Sequence, residues 1–245
     1  MVGALSFPVS VNVDEERVRA EVTRQQNRGG RARHRPDNAA VVEHVRLAKA
    51  ALSHYIDFHQ KKRLRRQVQV QRDRKQLPIA PYEAEIAGLV QQHQVLVLAG
   101  DTGCGKSTQV PQFLLAAGCD KIAVTQPRRL SAVSLTRRVA VETNNEFGSK
   151  IAHQIRFDSN RTSRTRCVFM TEGVLLRQAM ADPKLSQYDL IILDEVHERH
   201  VSTDLLLGLM KGIVLPRAPN IRLILMSATV NLGLFSAYFG TFPSS

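Results

Sequence analysis

The apolar run Val95-Leu96-Val97-Leu98 leads, after Ala99, into Gly100-Asp101-Thr102-Gly103-Cys104-Gly105-Lys106-Ser107-Thr108. This stretch matches G-x-x-x-x-G-K-[ST], which demands a strand before it and a helix after it. The glycines let the backbone curl until its N–H groups face one point, and the N-terminus of the following helix adds partial positive charge there. Such a point holds phosphate. Residues 100–108 are therefore read as a nucleotide site, with Lys106 reaching the β- and γ-phosphates and the Ser107 hydroxyl ligating Mg²⁺. Cys104 has no evident His partner in the sequence and reads as a small residue that the loop tolerates.

The surroundings fit that requirement. Short apolar runs at 94–99, 121–126, 152–157, 167–170, 190–193 and 221–226 alternate with helix-length stretches at about 106–117, 129–144, 172–181, 202–214 and 230–239. Apolar runs without polar alternation are strands buried on both faces. The fold class is therefore α/β, a mainly parallel sheet with helices on both sides.

A second acidic feature closes one of these runs. Asp194-Glu195 follows Leu190-Ile191-Ile192-Leu193 and so lies at the carboxyl end of a buried strand, where parallel sheets bind ligands. Alone, the pair could be a helix cap. Beside a phosphate loop, Asp194 reads as a Mg²⁺ holder and Glu195 as a further residue of the metal site, one that also orients and deprotonates the attacking water. A base beside a metal suits hydrolysis. His197 is placed to link the nucleotide site to neighbouring strands.

Charge divides the chain unevenly. Residues 1–80 hold 17 Lys and Arg against 8 Asp and Glu, which is +9 of the total +12. A polyanionic partner, most simply nucleic acid, is expected. Residues 1–38 read as a disordered basic segment and 39–76 as a basic helical extension, from the recurrence of Val41, Val45, Ala48, Leu52 and Tyr55. This extension touches RNA or a protein partner, or is a solvated charged helix. Residues 77–245 form the nucleotide-binding domain. Cys104, Cys119 and Cys167 show no disulfide or zinc spacing, no apolar run reaches the length of a membrane span, and the start is a poor signal peptide. The expectation is a soluble protein of the nucleus or cytoplasm with no membrane partner.

Taken together, these residues resemble the first RecA-like domain of a DEAH-box RNA helicase, and within that family the branch linked to nonsense-mediated decay. Asp194-Glu195-Val196-His197 stands where the family has Asp-Glu-Ala-His. Thr125-Gln126-Pro127-Arg128-Arg129 matches motif Ia, Thr171-Glu172-Gly173 resembles motif Ib, and Ser227-Ala228-Thr229 is motif III. Gln154-Ile155-Arg156-Phe157 resembles the strand before an RNA-facing turn, with Ala152-His153 in place of Gly-Tyr. The similarity covers about residues 77–240.

The resemblance implies that Arg128, Arg129, Arg156 and Thr171 contact the RNA backbone. It also implies that Arg138 stacks on adenine and that Ser227, Ala228 and Thr229 couple the ATP and RNA sites. Family members continue into a second RecA-like domain with an arginine finger, and no second arginine motif follows residue 229. The 245 residues alone are accordingly expected to bind Mg-ATP and hydrolyse it very slowly. A truncated, non-enzymatic RNA- or partner-binding module is the alternative. A transporter ATPase is disfavoured by the missing Leu-Ser-Gly-Gly-Gln signature, and a small-molecule kinase leaves motif Ia and Ser-Ala-Thr unexplained.

Overall fold

The computed structural model describes residues 38–145, 147–228 and 232–240, with the single positions 20 and 24. The segment expected to be disordered lies almost entirely outside the described residues, as does Thr229. The chain divides into two compact units, one ending at Gln69 and the other starting at Val70.

The described part of the first unit is a helix, α1 (Asn38–Lys75), whose last turn belongs to the second unit. Nothing between Asn38 and Lys75 is Gly or Pro, and Ala, Leu, Lys, Arg and Gln dominate, so intrinsic propensity favours the helix along its whole length. Arg72, Arg74 and Lys75 complement the negative end of the helix dipole, and Pro78 follows shortly after. Pairs one turn apart, such as Lys61 with Asp57 at 2.7 Å, lie on its surface. Leu47, Leu52, Tyr55, Phe58 and Leu64 are exposed along it. No helix among the described residues is long and apolar enough to cross a membrane.

The second unit is built on a seven-stranded sheet. Its strands are β1 (Val95–Ala99), β2 (Ile122–Gln126), β3 (Ile151–Ile155), β4 (Asp158–Ser159), β5 (Cys167–Thr171), β6 (Leu190–Leu193) and β7 (Arg222–Ser227). Their spatial order is β1-β7-β6-β2-β5-β3-β4, and every pairing is parallel except β3 with β4. The helix α2 (Glu83–Gln92) precedes β1, and between the strands run α3 (Lys106–Ala116), α4 (Arg129–Glu142), α5 (Glu172–Ala181) and α6 (Val201–Leu209). The helix α6 continues through a π turn, Met210–Val214, into α7 (Leu215–Arg217), and α8 (Leu232–Phe239) follows β7.

Successive strand residues face opposite ways, which yields two cores. Ile122, Val124, Ile192, Ile224 and Met226 pack with Ile86 and Val90 of α2, Phe113 and Leu114 of α3, and Val139 of α4. Ala123, Ile191, Leu193, Leu223 and Leu225 pack with Leu175 of α5, Leu206 of α6 and Phe235 of α8. Both faces are dry. The strands therefore read as continuous apolar runs, and the mainly parallel α/β architecture expected from them is the one found. Because six strands run the same way, their carboxyl ends form one edge, and the described candidate residues other than Arg138 sit along it.

Candidate nucleotide site and nucleic-acid face

At the end of β1, Ala99 is in register with Ser227 of β7, and the Gly100 N–H donates to the Ser227 carbonyl at 3.2 Å. The chain then turns, with the Cys104 N–H on the Asp101 carbonyl at 3.2 Å. Gly103 and Gly105 have φ of +86° and +102°, a region that side chains rarely enter. At Gly105 space is short as well, since a Cβ there would lie 3.0 Å from Leu77 Cδ1. The helix α3 starts at Lys106, so the N–H groups at its start open onto the loop, that of Thr108 donating to the Gly105 carbonyl at 3.2 Å. Lys106 is buried, and its Nζ donates to the carbonyls of Gly100 and Asp101, the latter at 3.0 Å, with Cys104 Sγ at 3.6 Å. The Thr108 hydroxyl donates back to the Gly105 carbonyl at 3.1 Å. Asp101 and Thr102 lie exposed on the outer bend of the loop.

Asp194 is only 1% exposed. One of its oxygens accepts the Glu195 N–H at 2.9 Å and the other accepts Gln126 Nε2 at 2.5 Å. Burial pushes its carboxyl above the ordinary range, although bonds from Ser107, Gln126 and Glu195 and the nearby Lys106 charge pull the other way. A buried carboxylate joined to the Ser107 hydroxyl is a hard-oxygen donor set, and it fits Mg²⁺, which binds through one or two carboxylates plus substrate phosphates. Among the described residues no group of three His, Cys, Asp or Glu could cage a metal. An ion here would therefore depend on the phosphates it accompanies.

Glu195 (φ +55°) and Arg199 (φ +51°) are both left-handed and bracket a tight turn, Val196–Glu198. Each such non-glycine residue costs on the order of 1–3 kcal/mol, and the fully buried Val196 anchors the turn against that strain. The turn swings Glu195 off the strand axis beside Asp194. Burial, and then the Asp194 charge, raise the Glu195 carboxyl above its usual value, opposed by His197 and Lys106. A base with a raised pKa is better matched to proton transfer near neutrality.

His197 Nδ1 accepts the Ala228 N–H at 3.2 Å, while Glu195 Oε2 lies 3.5 Å from the same nitrogen. One nitrogen cannot accept from Ala228 and donate to Glu195. The Ala228 bond is the shorter of the two contacts, and the 3.5 Å approach of Glu195 is the weaker one. His197 thereby ties the turn after β6 to the segment after β7. His197→Ala should lower stability by about 1 kcal/mol, the worth of one such bond. Urea unfolding would show it, and an unchanged midpoint would remove the bond from the account.

The other half of the edge is basic. Arg128 precedes α4 and Arg129 opens it, where positive charge is mildly unfavourable and a bound anion would offset it. Arg128 lies 3.5 Å from Glu198, and Arg129 Nη2 donates to the Arg156 carbonyl at 3.0 Å. The Arg156 guanidinium covers the ring of Phe157, itself 90% exposed at the β3–β4 turn. Thr171 is the N-cap residue of α5, yet its hydroxyl makes no capping bond.

Lys106, Ser107, Asp194, Glu195 and His197 thus gather at the ends of β1, β7 and β6, with Ser227 and Ala228. Arg128, Arg129, Arg156 and Thr171 gather at the ends of β2, β3 and β5. Arg138 stands apart on α4, paired with Glu142 at 2.9 Å. Sequence reasoning missed Gln126 as a partner of Asp194, Glu198 as a partner of Arg128, and Glu142. Only the i,i+4 spacing of Arg138 and Glu142 could have signalled any of these.

The model of the DEAD/DEAH box helicase family matches residues 81–234, more than half of the chain. A mouse (Mus musculus) protein named "Probable ATP-dependent RNA helicase DHX34" is 50% identical over 213 residues, 87% of this chain. The human (Homo sapiens) protein of the same name is 50% identical over 214 residues, also 87%. "DExH-box ATP-dependent RNA helicase DExH1" of Arabidopsis thaliana is 45% identical over 179 residues, 70% of this chain. The match spans 18% of the length of each of these relatives. The matched segment contains the phosphate loop, the Asp194-Glu195 pair and the arginines opening α4, and the chain belongs to the DEAD/DEAH box helicase family.

Proposed function

We propose that this chain is the ATP-binding part of an ATP-dependent RNA helicase. It binds Mg-ATP at the ends of β1, β7 and β6 and the RNA backbone at the ends of β2, β5 and β3. The observation that carries this reading is the division of one sheet edge into an anion-binding loop with a buried and a half-buried carboxylate, Asp194 and Glu195, and a run of basic residues. The two halves meet at the neighbouring strands β6 and β2, where Gln126 bonds Asp194.

Residues 100–108 cradle the triphosphate, with Lys106 on the β- and γ-phosphates. Asp194 and Ser107 would hold Mg²⁺, which supplies positive charge to the phosphate oxygens. Glu195 orients a water and takes its proton, and Arg138 flanks the base. His197 and Ser227-Ala228-Thr229 connect this chemistry to the RNA half. The exposed apolar and basic residues of α1 favour a second contact, with RNA or with a protein.

Single-stranded RNA should change the Mg-ATP affinity of this chain, while its turnover, though above that of a Glu195→Gln chain, stays very slow. No RNA effect on either turnover or nucleotide affinity would overturn the reading. Backbone contacts are also salt-sensitive. The joint Arg128→Ala, Arg129→Ala change should flatten the dependence of log affinity on log salt by about 1.4, roughly 0.7 for each phosphate of single-stranded RNA that is no longer neutralised. Deleting residues 1–69 should flatten it further, and an unaltered slope would exclude α1 as an RNA contact.

A further inference from the structure

Glu142 is the last residue of α4, where the helix dipole already concentrates negative charge, and it is only 5% exposed. Both circumstances oppose a carboxylate. Its burial does push the carboxyl upward, but bonds from Arg138, Gln112 and Gln109 outweigh that and hold it below its usual value. Gln109 Nε2 and Gln112 Nε2 each lie 2.7 Å from Oε2, and Arg138 Nε lies 2.9 Å from Oε1. Arg74, in the last turn of α1, is 3.9 Å from Oε2, and Gln71 of the same turn donates to the Glu142 backbone carbonyl at 2.8 Å.

These bonds lead into the phosphate loop. The Gln109 amide is fixed at both ends. Its oxygen accepts Arg74 Nε at 2.9 Å, and its nitrogen donates to Glu142 and, at 3.0 Å, to Thr108 Oγ1. The Thr108 hydroxyl in turn reaches the Gly105 carbonyl. An unbroken chain of hydrogen bonds therefore runs from Arg74 to a loop glycine. Apolar packing could fill the same space with no loss of stability, as is common for buried ionic groups. A role in placing groups accounts for the charge better than a role in holding the fold.

We propose that Glu142 is a positioning residue of the nucleotide site. It fixes Gln109 and Thr108 under the phosphate loop and Arg138 on α4, and through Gln71 and Arg74 it makes that geometry depend on the last turn of the basic helix. The proposal rests on the nucleotide reading of residues 100–108.

The test is Mg-ADP affinity of the 245-residue chain by titration calorimetry, at a temperature where every variant is folded, with melting curves in parallel. Glu142→Gln should weaken binding about 10-fold, within the range by which residues that do not touch a ligand modulate its site. Arg74→Ala, which alters a residue outside the loop, should weaken it about 3-fold through the same chain of contacts. The double variant should bind no more weakly than Glu142→Gln alone. Unchanged affinity with a lowered melting temperature would show a merely structural role, and additive losses would show separate actions. Either result overturns the proposal. An unaltered chain that fails to bind Mg-ADP would overturn the underlying nucleotide reading instead.

Discussion

Lys106→Ala should weaken Mg-ATP binding by about 100-fold, the loss expected when one partner of a desolvated charge pair is removed. The ammonium sits inside the curl of residues 100–105, held by the Gly100 and Asp101 carbonyls rather than extended into solvent. A phosphate entering the loop exchanges those neutral acceptors for charged ones, and charge-assisted bonds are roughly twice as strong as neutral ones. Alanine leaves the loop glycines and the N-terminus of α3 in place, so residual affinity for phosphate should survive. Titration calorimetry would measure the loss, and circular dichroism would check that the helices persist. An affinity within about 3-fold of the unaltered chain would refute the site, because so small an effect is what a solvent-exposed charge pair contributes.

What is legible in the sequence follows from the range of each interaction. Leu190–Leu193 and Ile221–Met226 announce themselves because both their faces are buried, and the phosphate loop announces itself because its chemistry lies within nine consecutive residues. The helix α2 gives little signal, since only Ile86 and Val90 of its residues are fully buried and Pro81 stands just before it. The strand β4 is two exposed residues with no apolar signal. Contacts between distant residues are the least visible. Gln126 meets Asp194 only because β2 and β6 are neighbours, and that adjacency is a property of sheet order rather than of either local sequence. The same holds for Glu142, whose glutamine partners come from the helix that follows the loop. Motif Ia draws attention to Arg128 and Arg129, while the residue just before Pro127 makes the bond that joins the two halves of the edge.

Glu195→Gln should lower Mg-ATP turnover by about 10²- to 10⁴-fold, the usual contribution of a positioned general base, while leaving Mg-ATP affinity nearly unchanged. The amide keeps the shape of the side chain and should tolerate the left-handed backbone as the acid does, so the strained turn and the Asp194 contacts survive. What it cannot do is accept a proton from water. The pH profile offers an independent check. Burial and the Asp194 charge raise the Glu195 carboxyl, so the protonated and inactive form persists to higher pH than for an ordinary glutamate. Turnover should fall as pH falls through that raised value, giving an acid limb displaced upward from the normal carboxylate range. In the Gln chain the residual rate should lose this limb. A variant with undiminished turnover, or an unaltered chain whose acid limb lies at the ordinary carboxylate value, would move the general base to another residue. Loss of binding together with turnover would instead mean that Glu195 holds the nucleotide or its ion, and that Asp194 and Ser107 are not sufficient for that task.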